Sequence, residues 1–133
     1  MEVKTNGERS ECAEKSVANG MPEAYAVGKA WFYREEYDIT PDVLIPRPDT
    51  ERAVEKLCTL LPRGGHFADL CSGSGCIGIS CLCERGDAKC DAFDISPAAV
   101  ALALHNAEKN GVADRYLCAV SDVFSLDDAG WDI

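Results

Sequence analysis

The sequence predicts an alternating α/β chain built on a parallel sheet. Three apolar runs of strand length, His66–Cys71, Ala88–Ile95 and Tyr116–Val120, are separated by segments with helical periodicity. Each run ends in a loop rich in Gly, Ser or Asp. Strand-helix-strand repetition of this kind implies parallel pairing with right-handed crossovers. In such sheets ligands bind outside the carboxyl ends of the strands.

The chain divides into three stretches. Residues 1–20 are polar, are broken at Asn6-Gly7 and Asn19-Gly20, and read as a loose tail or the remnant of a larger helical domain. Residues 21–48 read as hairpin and linker. AWFYREEYDIT has two aromatic, strand-like runs around Arg34-Glu35-Glu36, and VLIPRP is extended until its prolines end it. Residues 49–133 carry the alternating pattern. Asp49 or Thr50 is expected to cap a first helix whose stripe is Val54, Leu57, Cys58 and Leu61, stopped by Pro62-Arg63-Gly64-Gly65. A second helix runs from about Cys76 to Glu84. Ser96 caps a third, with Pro97 at its first position and a stripe of Val100, Ala103, Leu104 and Ala107. Trp131-Asp132-Ile133 reads as the opening of a fourth strand.

A net charge of −10 repels phosphate backbones at long range and argues against direct nucleic-acid binding. No stretch approaches the roughly 20 apolar residues of a membrane span, and the polar start lacks a secretory core, so a cytoplasmic protein is expected. Of the eight cysteines, Cys71, Cys76, Cys81, Cys83, Cys90 and Cys118 lie in apolar or Gly-rich runs, where reduced cysteines pack as small hydrophobes. Cys81 and Cys83 would sit on different faces of one helix and cannot easily grip one ion, so no metal is expected.

The chemistry sits at the strand ends. Cys71-Ser72-Gly73-Ser74-Gly75 leaves a strand and enters a helix. Glycines there let the backbone bend sharply and approach a ligand beside unpaired helix amides. Gly73, Gly75 and Gly78 satisfy GxGxxG, although a tight turn without a ligand needs glycines too. Asp94 ends the second strand, where a carboxylate can accept hydrogen bonds from the hydroxyls of a ribose. Asp69, within the first strand, can orient the loop amides and counter a sulfonium cation. Asp122 ends the third strand, where an acceptor can meet an adenine amino group or simply shape a turn. This ordered set points to S-adenosylmethionine, with S-adenosylhomocysteine as product.

These motifs resemble the glutamine methyltransferases of peptide chain release factors, from about Met21 to Ile133. The most specific stretch is PDVLIPRPDTE (Pro41–Glu51). GKAWFYREEYDIT is similar to that family's inter-domain hairpin, and DLCSGSGCIGIS, FDISPAAVALALHNAEKNGV and SDVFS to its cofactor motifs in order. The resemblance implies a Rossmann-like class I methyltransferase sheet. It implies that Cys71, Ser72, Gly73, Ser74 and Gly75 wrap the methionine part, Asp94 the ribose, and Asp122 with Val123 the adenine. Pro46, Arg47 and Thr50 would lie by the cofactor or the substrate loop. A release factor would be the protein partner, with no membrane involved.

Three features depart from the family pattern. The family's helical N-terminal domain, which helps hold the release factor, is expected to be missing apart from at most residues 1–20. Cys71 stands where many methyltransferases have glycine. The Asn-Pro-Pro-Tyr motif that holds the glutamine amide in that family is expected just beyond Ile133. The chain would then be an incomplete, cofactor-binding half, inactive by itself, marginally stable and prone to associate. Three rivals stay open: an adenine-N6 DNA or RNA methyltransferase, an NAD-dependent Rossmann oxidoreductase, and a non-enzymatic binding module.

Overall fold

The computed structural model describes residues 19–133. A short helix α1 (Glu23–Val27) leads into an antiparallel hairpin of β1 (Lys29–Phe32) and β2 (Glu35–Asp38). Helix α2 (Glu51–Leu60) follows. Then come β3 (His66–Leu70), α3 (Cys76–Glu84), β4 (Lys89–Asp94), α4 (Pro97–Lys109) and β5 (Tyr116–Val120). The three later strands pair in parallel in the order β3-β4-β5, with Asp69 opposite Ala92 and Asp94 opposite Val120. The alternating α/β expectation holds. The opening of a further strand is also visible: Asp132 N donates to His66 O at 2.7 Å and Ala68 N to Ile133 O at 2.9 Å, on the free side of β3.

Strand alternation explains where the core sits. Phe67, Asp69, Cys90, Ala92 and Tyr116 point to the face covered by α3 and α4 and are buried. The intervening side chains face the other way, leaving Leu70 and Leu117 at 45% and 58% exposure. Partial cover comes from Trp131, whose ring meets Phe93 edge-on at 5.9 Å and whose indole N–H donates to Asp91 at 2.9 Å. β3 is therefore a half-buried strand.

Four local expectations change. The hairpin turns at Tyr33-Arg34, one residue early, with Tyr33 at φ 59°. Neither Asp49 nor Thr50 caps α2. Pro48 fixes a helical φ early, so Pro48–Thr50 form a 3-10 turn entered from extended Arg47, and Thr50 makes no capping bond. On α4 the Ser96 cap and Pro97 hold, with Ala99 N donating to Ser96 Oγ at 3.2 Å. Leu104, however, is exposed, and Asn106 takes a buried place. The helix is rolled by three hydrogen bonds. Asn106 Oδ1 accepts from Asp38 N, and its Nδ2 donates to Asp38 O and Ser74 O at 2.8, 3.1 and 2.9 Å. Finally, Cys71 and Cys83 are exposed rather than packed, while Cys81 and Cys90 are buried as expected.

The hairpin is bolted to the same helices. Tyr37, fully buried, shares a 2.5 Å hydrogen bond with Ser80 of α3, and Lys109 of α4 pairs with Glu36 and Asp38 at 2.8 Å. Two arginines close helix ends. Arg85 donates to the carbonyls of Cys58, Leu61 and Pro62 at the end of α2, and Arg115 to those of Leu82, Arg85 and Ala88 at the end of α3. No helix among the described residues is long and apolar enough to cross a membrane. Residues 1–18, including most of the expected polar tail and Cys12, lie outside the described residues.

Candidate functional site

The loop between β3 and α3 is built on left-handed backbone. Cys71, Gly73 and Gly75 have φ of 60°, 56° and 86°. Glycine adopts this region freely, whereas a side chain there costs about 1–2 kcal/mol. Cys71 bears that strain, the structural consequence of its standing where a glycine is expected. Gly75 also needs its hydrogen for packing, since a Cβ there would lie 2.7 Å from Ile79 Cδ1 and 3.0 Å from Tyr116 Oη. Gly73 differs. A Cβ there would meet nothing within 4 Å, so its bare face looks into open space.

Asp94 ties the loop to the next helix. Its Oδ2 accepts from Gly73 N at 2.9 Å and its Oδ1 from Ser96 N at 3.0 Å. Each carboxylate oxygen has two lone pairs, so acceptor capacity remains for a hydroxyl pair. Asp69 does something other than the loop-orienting role expected of it. Its Oδ2 accepts from Gly78 N, in the first turn of α3, at 3.2 Å. Burial pushes its carboxyl up to about 6, with the nearby Asp94 charge adding to the rise. Beneath the loop, the buried Ser74 Oγ and Tyr116 Oη make no hydrogen bond among the described residues.

The second wall of the site comes from far away in sequence. Leu44, Ile45, Pro46, Arg47 and Thr50 lie across from Cys71, Ser72, Gly73, Ser74, Cys76 and Ile77, enclosing a cleft of about 140 Å³. Pro46, Arg47 and Thr50 thus meet the glycine loop, although nothing in their spacing requires it. Arg47 is exposed and pairs with Asp49 at 3.6 Å. Asp122 lies two residues beyond Val120, the partner of Asp94 across the sheet. Its Oδ1 accepts from Phe124 N at 3.0 Å and caps a 3-10 turn, Val123–Ser125, leaving Oδ2 for other partners. A wider hollow of about 390 Å³ lies on the uncovered sheet face, lined by Leu70, Val123, Leu126 and Trp131. Asp127 and Asp128 also line it, no residue of Cys71–Gly75 does, and it belongs to that open face.

Asn106 and Tyr116 are the residues that pattern reading missed. Asn106 sits three residues after Ala103 in an otherwise apolar stripe, a polar intrusion that could have been noticed. Tyr116 gives no such signal, because an aromatic residue opening a strand looks like core.

A model of the methyltransferase small domain family matches residues 32–132. The chain belongs to this family. Among curated relatives of this methyltransferase domain, a release factor glutamine methyltransferase of Nitratidesulfovibrio vulgaris is 42% identical over 99 residues, covering 74% of this chain and 34% of that protein. Another of Neisseria gonorrhoeae is 39% identical over 118 residues, covering 86% and 42%. The chain thus spans about two fifths or less of the length of these two relatives. Among solved structures, an RNA methyltransferase of Salinibacter ruber in complex with S-adenosyl-L-homocysteine aligns with a TM-score of 0.55 at 32% identity. That match covers 64% of this chain and 54% of the other. The Rossmann-like class I methyltransferase sheet is the fold of this domain.

Proposed function

We propose that the chain is the S-adenosylmethionine-binding part of a methyltransferase that methylates the side-chain amide of a glutamine in a peptide chain release factor. One observation carries the reading. The two walls of the cleft are Pro46–Thr50, within the stretch of most specific resemblance, and Cys71–Ser74, within the first cofactor motif, brought together from opposite sides of α2. The relatives named above support the same substrate.

The residues fit the cofactor. The bare face of Gly73 admits a ligand against the backbone, and Cys71, Ser72 and Ser74 complete a cradle for its methionine end, with Gly75, outside the lining, bending the chain into α3. Asp94 offers a carboxylate to the ribose, and Asp122 with Val123 would frame the adenine. Asp69 sets negative charge behind the loop once ionised. When bound, S-adenosylmethionine supplies the methyl group. This chain's residues hold and orient, and alignment is the larger part of such a transfer. Pro46, Arg47 and Thr50 line the side open to a protein substrate. A net charge of −10 and the Pro41–Glu51 stretch argue against adenine in nucleic acid as the substrate. A cytoplasmic role in translation termination follows from this substrate.

The test is methyl transfer from radiolabelled S-adenosylmethionine to a purified release factor. It is run with the protein that carries this domain, with a release factor and with DNA and RNA as alternative acceptors, and label is expected on a glutamine of the release factor. Label entering adenine of DNA or RNA instead would overturn it.

A further inference from the structure

Away from the cleft, two cysteines on neighbouring helices touch. Cys58 Sγ of α2 lies 3.6 Å from Cys81 Sγ of α3, and both are free thiols. A disulfide needs about 2.05 Å between sulfurs, so closing the bond asks for a small rotation of side chains already facing one another. We propose that Cys58 and Cys81 are a dithiol–disulfide pair, oxidised by a small-molecule disulfide such as oxidised glutathione, that fastens α2 to α3.

The surroundings suit the exchange. Cys58 is half-buried and Cys81 fully buried, so Cys58 is the point of entry. Arg85 sits between the two helices, donating to the Cys58 carbonyl at 2.8 Å, and its positive charge favours thiolate at Cys81. Burial opposes this more strongly and raises the Cys81 thiol, so Cys58, the sulfur nearer solvent, reacts first. The Cys58 thiolate attacks one sulfur of oxidised glutathione, forming a mixed disulfide and releasing one glutathione thiolate. The Cys81 thiolate then attacks the Cys58 sulfur and releases the second. Two cysteine thiols are oxidised, one glutathione disulfide is reduced, and the two cysteine protons end on the two glutathiones. The bond closes a loop of 23 residue steps containing β3 and the whole Cys71–Gly75 loop, and its two ends lie on the helices that follow the two walls of the cleft.

The experiment equilibrates the native full chain in a glutathione redox buffer, quenches it with an alkylating agent, and maps tryptic peptides by tandem mass spectrometry. The proposal predicts that free thiols fall by two from eight and that the peptide containing Cys58 is joined to Cys81. Cys58→Ser abolishes the link and Cys83→Ser leaves it intact. The cross-linked protein melts at least about 5 °C higher, because the closed loop restricts the unfolded chain. Glutathione adducts at exposed Cys71 or Cys83 without a Cys58–Cys81 link would overturn the proposal. So would a link between other cysteines, or a cross-linked protein that melts lower.

Discussion

Asp94 Oδ2 accepts the Gly73 amide at 2.9 Å across the ends of two adjacent strands, so one carboxylate sets the shape of the glycine loop from outside the lining of the cleft. Replacing Asp94 with Ala should weaken S-adenosylhomocysteine binding by about 1.5–3 kcal/mol, the range for hydrogen bonds to a charged group. Titration calorimetry measures it. Unchanged affinity would reduce Asp94 to a prop for the loop and for Ser96.

Gly73 and Gly75 separate a turn from a binding site. Both have positive φ, so Ala at either costs about 1 kcal/mol of strain. At Gly75 the new Cβ also collides with Ile79 and Tyr116, whereas at Gly73 it meets nothing. Gly75→Ala should therefore be clearly the more destabilising in urea unfolding. Gly73→Ala should fold almost normally yet lose ligand affinity by tenfold or more, about 1.4 kcal/mol. Gly73→Ala with full affinity would favour a turn that holds no ligand. In the other direction, Cys71→Gly should stabilise the fold by up to about 1 kcal/mol by relieving its left-handed backbone.

Asp69 gives stability a pH dependence of known sign. Its carboxyl, ordinarily near 3.8, is pushed up to about 6 by burial. Between these values the folded chain binds more protons than the unfolded one, so this group makes stability fall as pH rises from about 4 to 6. Asp69→Asn removes that slope while keeping an acceptor for Gly78 N. The difference in unfolding free energy, wild type minus variant, should drop by about 2–3 kcal/mol across that window and then level off. A difference that rises with pH would contradict the burial argument.

Much of this was legible because strand and helix periods differ. The order of β3, α3, β4, α4 and β5 and the placement of Asp69, Asp94 and Asp122 at or near strand ends followed from pattern alone. What escaped depends on partners distant in sequence. Leu104 lost its place to Asn106 because hydrogen bonds to Asp38 and Ser74 outweigh a stripe read from one helix. The junction of Pro46–Thr50 with the glycine loop is likewise a tertiary fact that no local spacing contains. Thr50 illustrates a subtler limit. Its identity suits a cap, but Pro48 starts the turn before it.

Asn106 should be a keystone for stability. Asn106→Ala leaves the Asp38 amide and carbonyl and the Ser74 carbonyl without their partner and should cost about 2–4 kcal/mol, as for buried groups left unsatisfied. Urea denaturation checks it. A loss below about 0.5 kcal/mol would show that water replaces the side chain.

The uncovered sheet face makes a prediction about association. Leu70 and Leu117 are exposed there, and apolar faces of this kind self-associate. Light scattering should give a mass above the 14.3 kDa of one chain at high concentration, and Leu117→Lys should reduce it. A monomer at all concentrations would contradict this.

If the cleft between Pro46–Thr50 and Cys71–Ser74 holds S-adenosylmethionine, its product should bind there too. The most direct measurement is side-by-side calorimetric titration of the chain with S-adenosylhomocysteine and NAD. Binding of S-adenosylhomocysteine should be saturable and one-to-one and should weaken in both Gly73→Ala and Asp94→Ala, with NAD much weaker or silent. NAD binding tighter than S-adenosylhomocysteine would contradict it.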